Sequence, residues 1–210
     1  MTSARERAAA SWSGRYHLSA LRLALDDFET HSCTLTKWGE ILAPRLAEGA
    51  RLLIAGSGGS ATQAQHLAAE LVGHFRHDRD PMSAICLSSQ TFNIAEIASD
   101  FGPEEIYARQ VEAHGHPGDV LLLLSTTGRD PEMLAAAKRA RSIGVEVWSL
   151  TGATPNPLAD LSDETFAVRS ESAPTVQELH LVAIHMICAS VDHTLWADMY
   201  RLPSEDALDA

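Results

Sequence analysis

His66 and Glu70 stand four residues apart, so on a helix they project from one face, an imidazole beside a carboxylate. Immediately upstream, Arg51-Leu-Leu-Ile-Ala-Gly-Ser-Gly-Gly-Ser60 reads as a buried apolar strand that runs into a Gly/Ser turn and opens that helix. Gly56, Gly58 and Gly59 allow a tight backbone where a Cβ would not fit. Ser57, Ser60 and the free N–H groups of the helix start form a concave site for an anion. A phosphate cradle with an acid/base pair about a turn and a half above it suits an enzyme that handles a phosphorylated small molecule.

Taken alone, a Gly-rich turn of this kind is more often structural than phosphate-binding. No Lys-Ser/Thr follows the glycines, so it is not a Walker loop. The dinucleotide fingerprint is matched only by composition, and the strand ending Ile85-Cys-Leu-Ser-Ser89 lacks the carboxylate that would hold a ribose. A nucleotide is therefore not expected. A second loop changes the balance. Asp119-Val-Leu-Leu-Leu-Leu124 ends in Ser125-Thr-Thr-Gly-Arg-Asp-Pro131, three hydroxyls and a glycine ahead of a helix start. A capped turn accounts for one such loop; two at the same end of one sheet favour phosphate.

These loops need a scaffold that presents them together. The 210 residues suit one domain with a substantial core. Apolar residues make up 45% and charged residues 21%, ordinary for a soluble globular protein. A net charge of -12 argues against nucleic-acid binding through a broad basic surface. Three widely spaced cysteines, no signal-peptide pattern and no membrane-length apolar run lead to the expectation of a cytoplasmic protein with reduced thiols.

Helical periodicity covers about residues 15–46, with a break near His31-Ser32; this N-terminal helical arm (1–48) exposes enough apolar surface to pack on another subunit. Strands are expected over 51–55, 83–87, 120–124, 146–150 and 164–168, and helices over 60–77, 92–99, 103–113, 131–142 and 176–202. Continuously apolar strands alternating with helices predict an α/β fold, a doubly wound parallel five-stranded sheet flanked by helices, in a flavodoxin-like sandwich (49–202). Ligands in such sheets bind beyond the carboxyl ends of the strands. Residues 1–13 and an acidic tail (203–210) are expected to be loosely ordered. On the last helix, His180 and His185 are five apart and point in different directions. By position alone each reads as a core histidine.

Over about two thirds of the chain these segments resemble the sugar-isomerase (SIS) domain of the phosphoheptose isomerase family. The resemblance is carried, in order, by Gly56-Ser-Gly-Gly-Ser60, His66-Leu-Ala-Ala-Glu70, Ala98-Ser-Asp100-Phe-Gly102, Gly118-Asp-Val-Leu-Leu122, Ser125-Thr-Thr-Gly128, Leu150-Thr-Gly152 and Gln177-Glu-Leu-His180 with His185. It implies that Glu70 and His185 are the catalytic base and acid, and that His66, Glu70, Gln177 and His185 form a divalent-metal site, commonly zinc. It further implies that Ser57, Gly58, Gly59, Ser60, Ser125, Thr126, Thr127 and Gln177 line the substrate and phosphate site, and that Asp100 meets substrate hydroxyls. Gln177 and His185 are eight residues apart, about 12 Å along a helix, so they share one ion only by leaning together or from different subunits.

The implied activity converts sedoheptulose 7-phosphate, a seven-carbon sugar phosphate, to D-glycero-D-manno-heptose 7-phosphate, in a homotetramer with active sites between subunits. The alternatives are an isomerase of another ketose phosphate, or a non-catalytic SIS-fold scaffold that binds the replication initiator DnaA. The scaffold branch lacks the acid and imidazole that this chain carries at Glu70 and His185. Three positions depart from the family pattern: Asp130 stands where Ser is frequent, Pro174-Thr-Val176 replaces a polar segment, and Ser57 replaces Asn. A carboxylate at 130 repels phosphate unless it caps the helix.

Overall fold

The computed structural model describes residues 14–199. The expected loose N-terminus, the acidic tail and the end of the helix expected over 176–202 lie outside them.

Five strands, β1 (Leu52–Gly56), β2 (Ala84–Cys86), β3 (Val120–Ser125), β4 (Glu146–Thr151) and β5 (Glu164–Ala167), form one sheet in the order β2-β1-β3-β4-β5. Every pairing is parallel. The apolar runs explain why. β1 and β3 are buried along their whole length, and alternation sends their side chains to two separate cores. Leu52, Ile54, Leu122 and Leu124 face one; Leu53, Ala55, Leu121 and Leu123 face the other.

The first core is closed by α1 (Gly14–His31), α2 (Cys33–Ala47), α3 (Gly59–Val72) and α8 (Ala173–Met199). Trp38 of α2 packs on Trp148 of β4 with ring centroids 4.9 Å apart, and Phe28 of α1 meets Phe166 of β5 edge-on, also at 4.9 Å. The helical arm thus breaks at Ser32, as its periodicity implied, and α2 contributes Leu35, Trp38, Leu42 and Leu46 to the core it shares with the sheet. The second core is closed by α5 (Ala108–His114), α6 (Pro131–Ser142) and α7 (Pro157–Leu161). Two expected helices differ in length. The one over 60–77 stops at Val72, and the one over 103–113 is a short 3₁₀ turn (Pro103–Glu105) followed by α5. The remaining helix, α4 (Thr91–Phe101), has no buried residue and exposes Phe92 and Phe101.

Helix α3 leaves β1 toward the first core, whereas α6 leaves β3 toward the second. The two adjacent strands therefore open a crevice between their carboxyl ends, the switch point at which this topology binds ligands. Among the described residues no helix is long and apolar enough to cross a membrane. Cys86 and Cys188 are buried, Cys33 is exposed, and none is in a disulfide.

His180 fastens α8 to the sheet. It is fully buried, its Nε2–H donates to the Thr151 carbonyl at 3.1 Å, and its Nδ1 has no hydrogen-bond partner among the described residues. Burial holds its pKa down at about 4, so the folded chain keeps the ring neutral. A depressed histidine costs stability wherever the unfolded chain takes up a proton that the folded chain refuses. Stability from this group is thus constant above about pH 6.5 and falls as the pH drops toward 4. Urea unfolding at pH 7 and pH 5 should show a loss of about 2 kcal/mol that is missing from His180→Asn. Equal losses in the two proteins contradict this role.

Candidate active site

The crevice is walled by the loop after β1 and the loop after β3. At Gly58 the backbone turns through φ +57°, a left-handed conformation that side chains disfavour. A Cβ on Gly59 would lie 2.7 Å from the Gln177 carboxamide, so glycine there lets the start of α3 approach α8. Ser60 is buried in the first turn of α3, while Ser57, Gly58 and Gly59 remain open to the crevice.

Three residues that carry no motif brace this loop. Ser88 Oγ donates to the Gly56 carbonyl at 2.7 Å and accepts from the Gly56 N–H at 2.9 Å. Tyr107 donates to the same carbonyl at 3.0 Å, and its burial raises the phenol pKa. Ser57 donates to Glu132 Oε1, 2.5 Å away in the first turn of α6. Strand-end serines at 88 and 89 were the one visible hint of this bracing.

In the second loop Ser125 is buried, and its Oγ accepts from the Gly128 N–H at 2.7 Å and from the Thr127 N–H at 3.3 Å. Its own proton goes to Asp130 Oδ2. Asp130 occupies the N-cap position of α6, but its side chain caps no backbone N–H; it holds Ser125 instead. Thr127 accepts from the Arg129 N–H at 3.2 Å, and Thr126 is half-buried at the rim.

Helices α3 and α8 lie side by side and run in the same direction. Gln63 donates to the Gln177 carbonyl near their starts, and His66 meets His185 further along. That register brings together three of the residues singled out by sequence. His66 Nε2 lies 3.1 Å from Glu70 Oε1 and 3.3 Å from His185 Nε2. Phe75 stacks on the His185 ring at 5.6 Å. Cys188 lies behind Glu70, its thiol pushed up to about 12 by burial and by the nearby carboxylate, so it stays protonated. Gln177 is placed apart from the three, over Gly59 at the lip of the crevice. Asp100 is exposed on α4 and makes no hydrogen bond or ion pair among the described residues.

The donor set can be compared with a zinc centre. Bonds of about 2.0–2.1 Å in a tetrahedron put neighbouring donors about 3.3 Å apart. The two edges that meet at His66 Nε2 have that length, and two imidazoles with a carboxylate suit zinc in chemistry. The third edge, Glu70 to His185, is not closed: among the described residues no three His, Cys, Asp or Glu side chains already surround one point. The fit is thus one of donor type and of two spacings out of three.

Residues 16–152 match the family model described as the SIS domain. The chain is 54% identical to a phosphoheptose isomerase of Streptomyces coelicolor over 179 residues, 85% of this chain and 78% of that one. It is 38% identical to a phosphoheptose isomerase of a Bradyrhizobium species over 202 residues, 95% of this chain and all of that one. Among solved structures, a phosphoheptose isomerase from Neisseria gonorrhoeae superposes with a TM-score of 0.78 at 29% identity, covering 91% of this chain and 100% of that one. With the crevice, the two loops and the His66–Glu70–His185 cluster in one fold, these similarities place the chain in the phosphoheptose isomerase family of SIS-domain proteins.

Proposed function

We propose that this chain is an aldose–ketose isomerase that converts sedoheptulose 7-phosphate to D-glycero-D-manno-heptose 7-phosphate. The observation that carries the reading is the convergence of Glu70 and His185 on one atom of His66, at 3.1 and 3.3 Å, on helices that begin at the phosphate crevice. Length supports a seven-carbon substrate. His66 lies seven residues beyond Gly59, which at 1.5 Å per residue is about 10 Å. Seven bonds separate the keto carbon of such a sugar from its phosphorus, and at about 1.2 Å of advance per bond an extended chain spans about 8 Å. One end of the sugar reaches the loops while the other reaches the cluster.

With the phosphate held by the N–H and hydroxyl groups of the two loops, C1 and C2 lie against Glu70 and His185. Glu70 removes a proton from C1 of the ketose, and electrons move to the C2 oxygen to give an enediol. His185 gives a proton to that oxygen and takes one from the C1 hydroxyl, leaving the aldehyde. Glu70 then returns its proton to C2. Each such acid/base contribution is typically worth about 10²–10⁴ in rate, and the gripped phosphate supplies orientation. Gln177, at the crevice lip, faces the sugar hydroxyls between the two ends.

Zinc belongs to the proposal as a ligand of His66, Glu70 and His185, with Gln177 as a fourth donor from a leaning side chain or a neighbouring chain. When bound it supplies Lewis-acid polarisation of the sugar oxygens. The assembly proposed is a homotetramer. The apolar side chains that α4 and α1 expose, Phe92, Phe101, Leu18 and Leu23 among them, support a partner at those faces, and it is there that Asp100 would meet a neighbour's substrate.

Incubation with sedoheptulose 7-phosphate should yield the aldose phosphate, and Glu70→Gln or His185→Ala should lower kcat by about 10²–10⁴. Wild-type turnover in either variant removes that residue from its role. Elemental analysis should find about one zinc per chain, and His66→Ala should lose it. Stoichiometric zinc in that variant refutes the ligand assignment. Light scattering should return the mass of about four chains, and a monomer contradicts the assembly.

A further inference from the structure

The hydroxyls that face the phosphate crevice already hold anions in this structure, and the two contacts differ in kind. Ser125 and Asp130 belong to the same loop, five residues apart. Together with the N–H groups of Thr127 and Gly128 they use every hydrogen-bonding capacity of a buried hydroxyl, so this contact builds the loop. Ser57 and Glu132 are 75 residues apart and belong to opposite walls of the crevice. Both side chains are only half-buried, and among the described residues the Ser57 hydroxyl is the one hydrogen-bond donor to the Glu132 carboxylate. Its carboxylate lies in the first turn of α6, where the helix dipole stabilises negative charge, and touches the loop that opens α3. An anion entering the crevice would compete for the same Ser57 donor.

We propose that Glu132 is a displaceable internal anion of the phosphate site: it satisfies the Ser57 donor in the empty crevice and swings out when a phosphate monoester enters. The inference rests on the reading of the crevice as a phosphate site. It makes Glu132 a specificity-determining residue. A neutral sugar offers nothing that outcompetes a carboxylate for a hydroxyl donor, whereas a phosphate offers more charge and three oxygens to the same loops. The ejected carboxylate stays close enough to repel the bound phosphate and so weakens its retention. Asp130, tied into its own loop, is not displaced.

Calorimetric titration with inorganic phosphate, on wild type, Glu132→Gln and Glu132→Ala, tests this without requiring turnover. Both variants should bind phosphate about tenfold more tightly than wild type, an effect of about 1.4 kcal/mol. In the isomerase assay the gain should fall on the KM for sedoheptulose 7-phosphate. Should one variant fail to fold, the other carries the comparison. Phosphate affinity that is unchanged or weaker in a folded variant overturns the role of Glu132 while leaving the isomerase reading intact. If no form, wild type included, binds millimolar phosphate or turns over the sugar, the phosphate site itself falls and this inference with it.

Discussion

The parallel docking of α3 against α8 is the constraint from which the rest of the site follows. Both helices start above the carboxyl ends of the strands and bury Ala64, Leu67, Leu71, Leu179, Ala183 and Ile187 in the same core. Because their apolar stripes are pinned to the sheet, the polar positions between them have fixed partners. Gln177 meets Gly59, and His185 meets His66. A slip of one residue along either helix rotates its side chains by about 100° and separates the imidazoles. The acid/base cluster is in this sense a product of hydrophobic packing. Glycine at 59 leaves room for the Gln177 carboxamide at the open end of this pair, a place that a Cβ would contest.

The sheet supplies the second constraint. At the boundary of β1 and β3 the chain leaves for opposite faces, so two loops rich in N–H and hydroxyl groups confront each other with no helix between them. The donors of such a crevice need acceptors. Here carboxylates from the start of α6 serve, one for each loop. On the proposed function, the distance between the crevice and the cluster, set by two turns of α3, would act as a ruler for the substrate.

Much of this architecture could be read from the chain alone, for identifiable reasons. Continuous apolar runs such as Val120-Leu-Leu-Leu-Leu124 admit little besides buried parallel strands, and the Gly/Ser turns mark where they end. His66 and Glu70 were legible because their relation is local, four residues on one helix. His185 was not: its partner is 119 residues away, and only the family resemblance separated it from His180, which proves to be a core residue bonded to Thr151. Ser88, Tyr107 and Glu132 escaped notice for the same reason, since each acts across the fold on a loop it does not adjoin in sequence. Asp130 shows the converse. The sequence left open whether it caps the helix; it stands at the N-cap position, but Ser125, buried at the end of β3, takes its carboxylate and no backbone N–H is capped.

The central claim is that Glu70 carries a proton between adjacent carbons of the sugar. Isomerisation of sedoheptulose 7-phosphate in deuterium oxide, followed by NMR of the product, tests it most directly. A half-buried carboxylate that solvent reaches while it holds the proton should leave deuterium at C2 of part of the aldose, and Glu70→Gln should slow labelling and product formation alike, by about 10²–10⁴. Product and labelling that form in Glu70→Gln at the wild-type rate would contradict it.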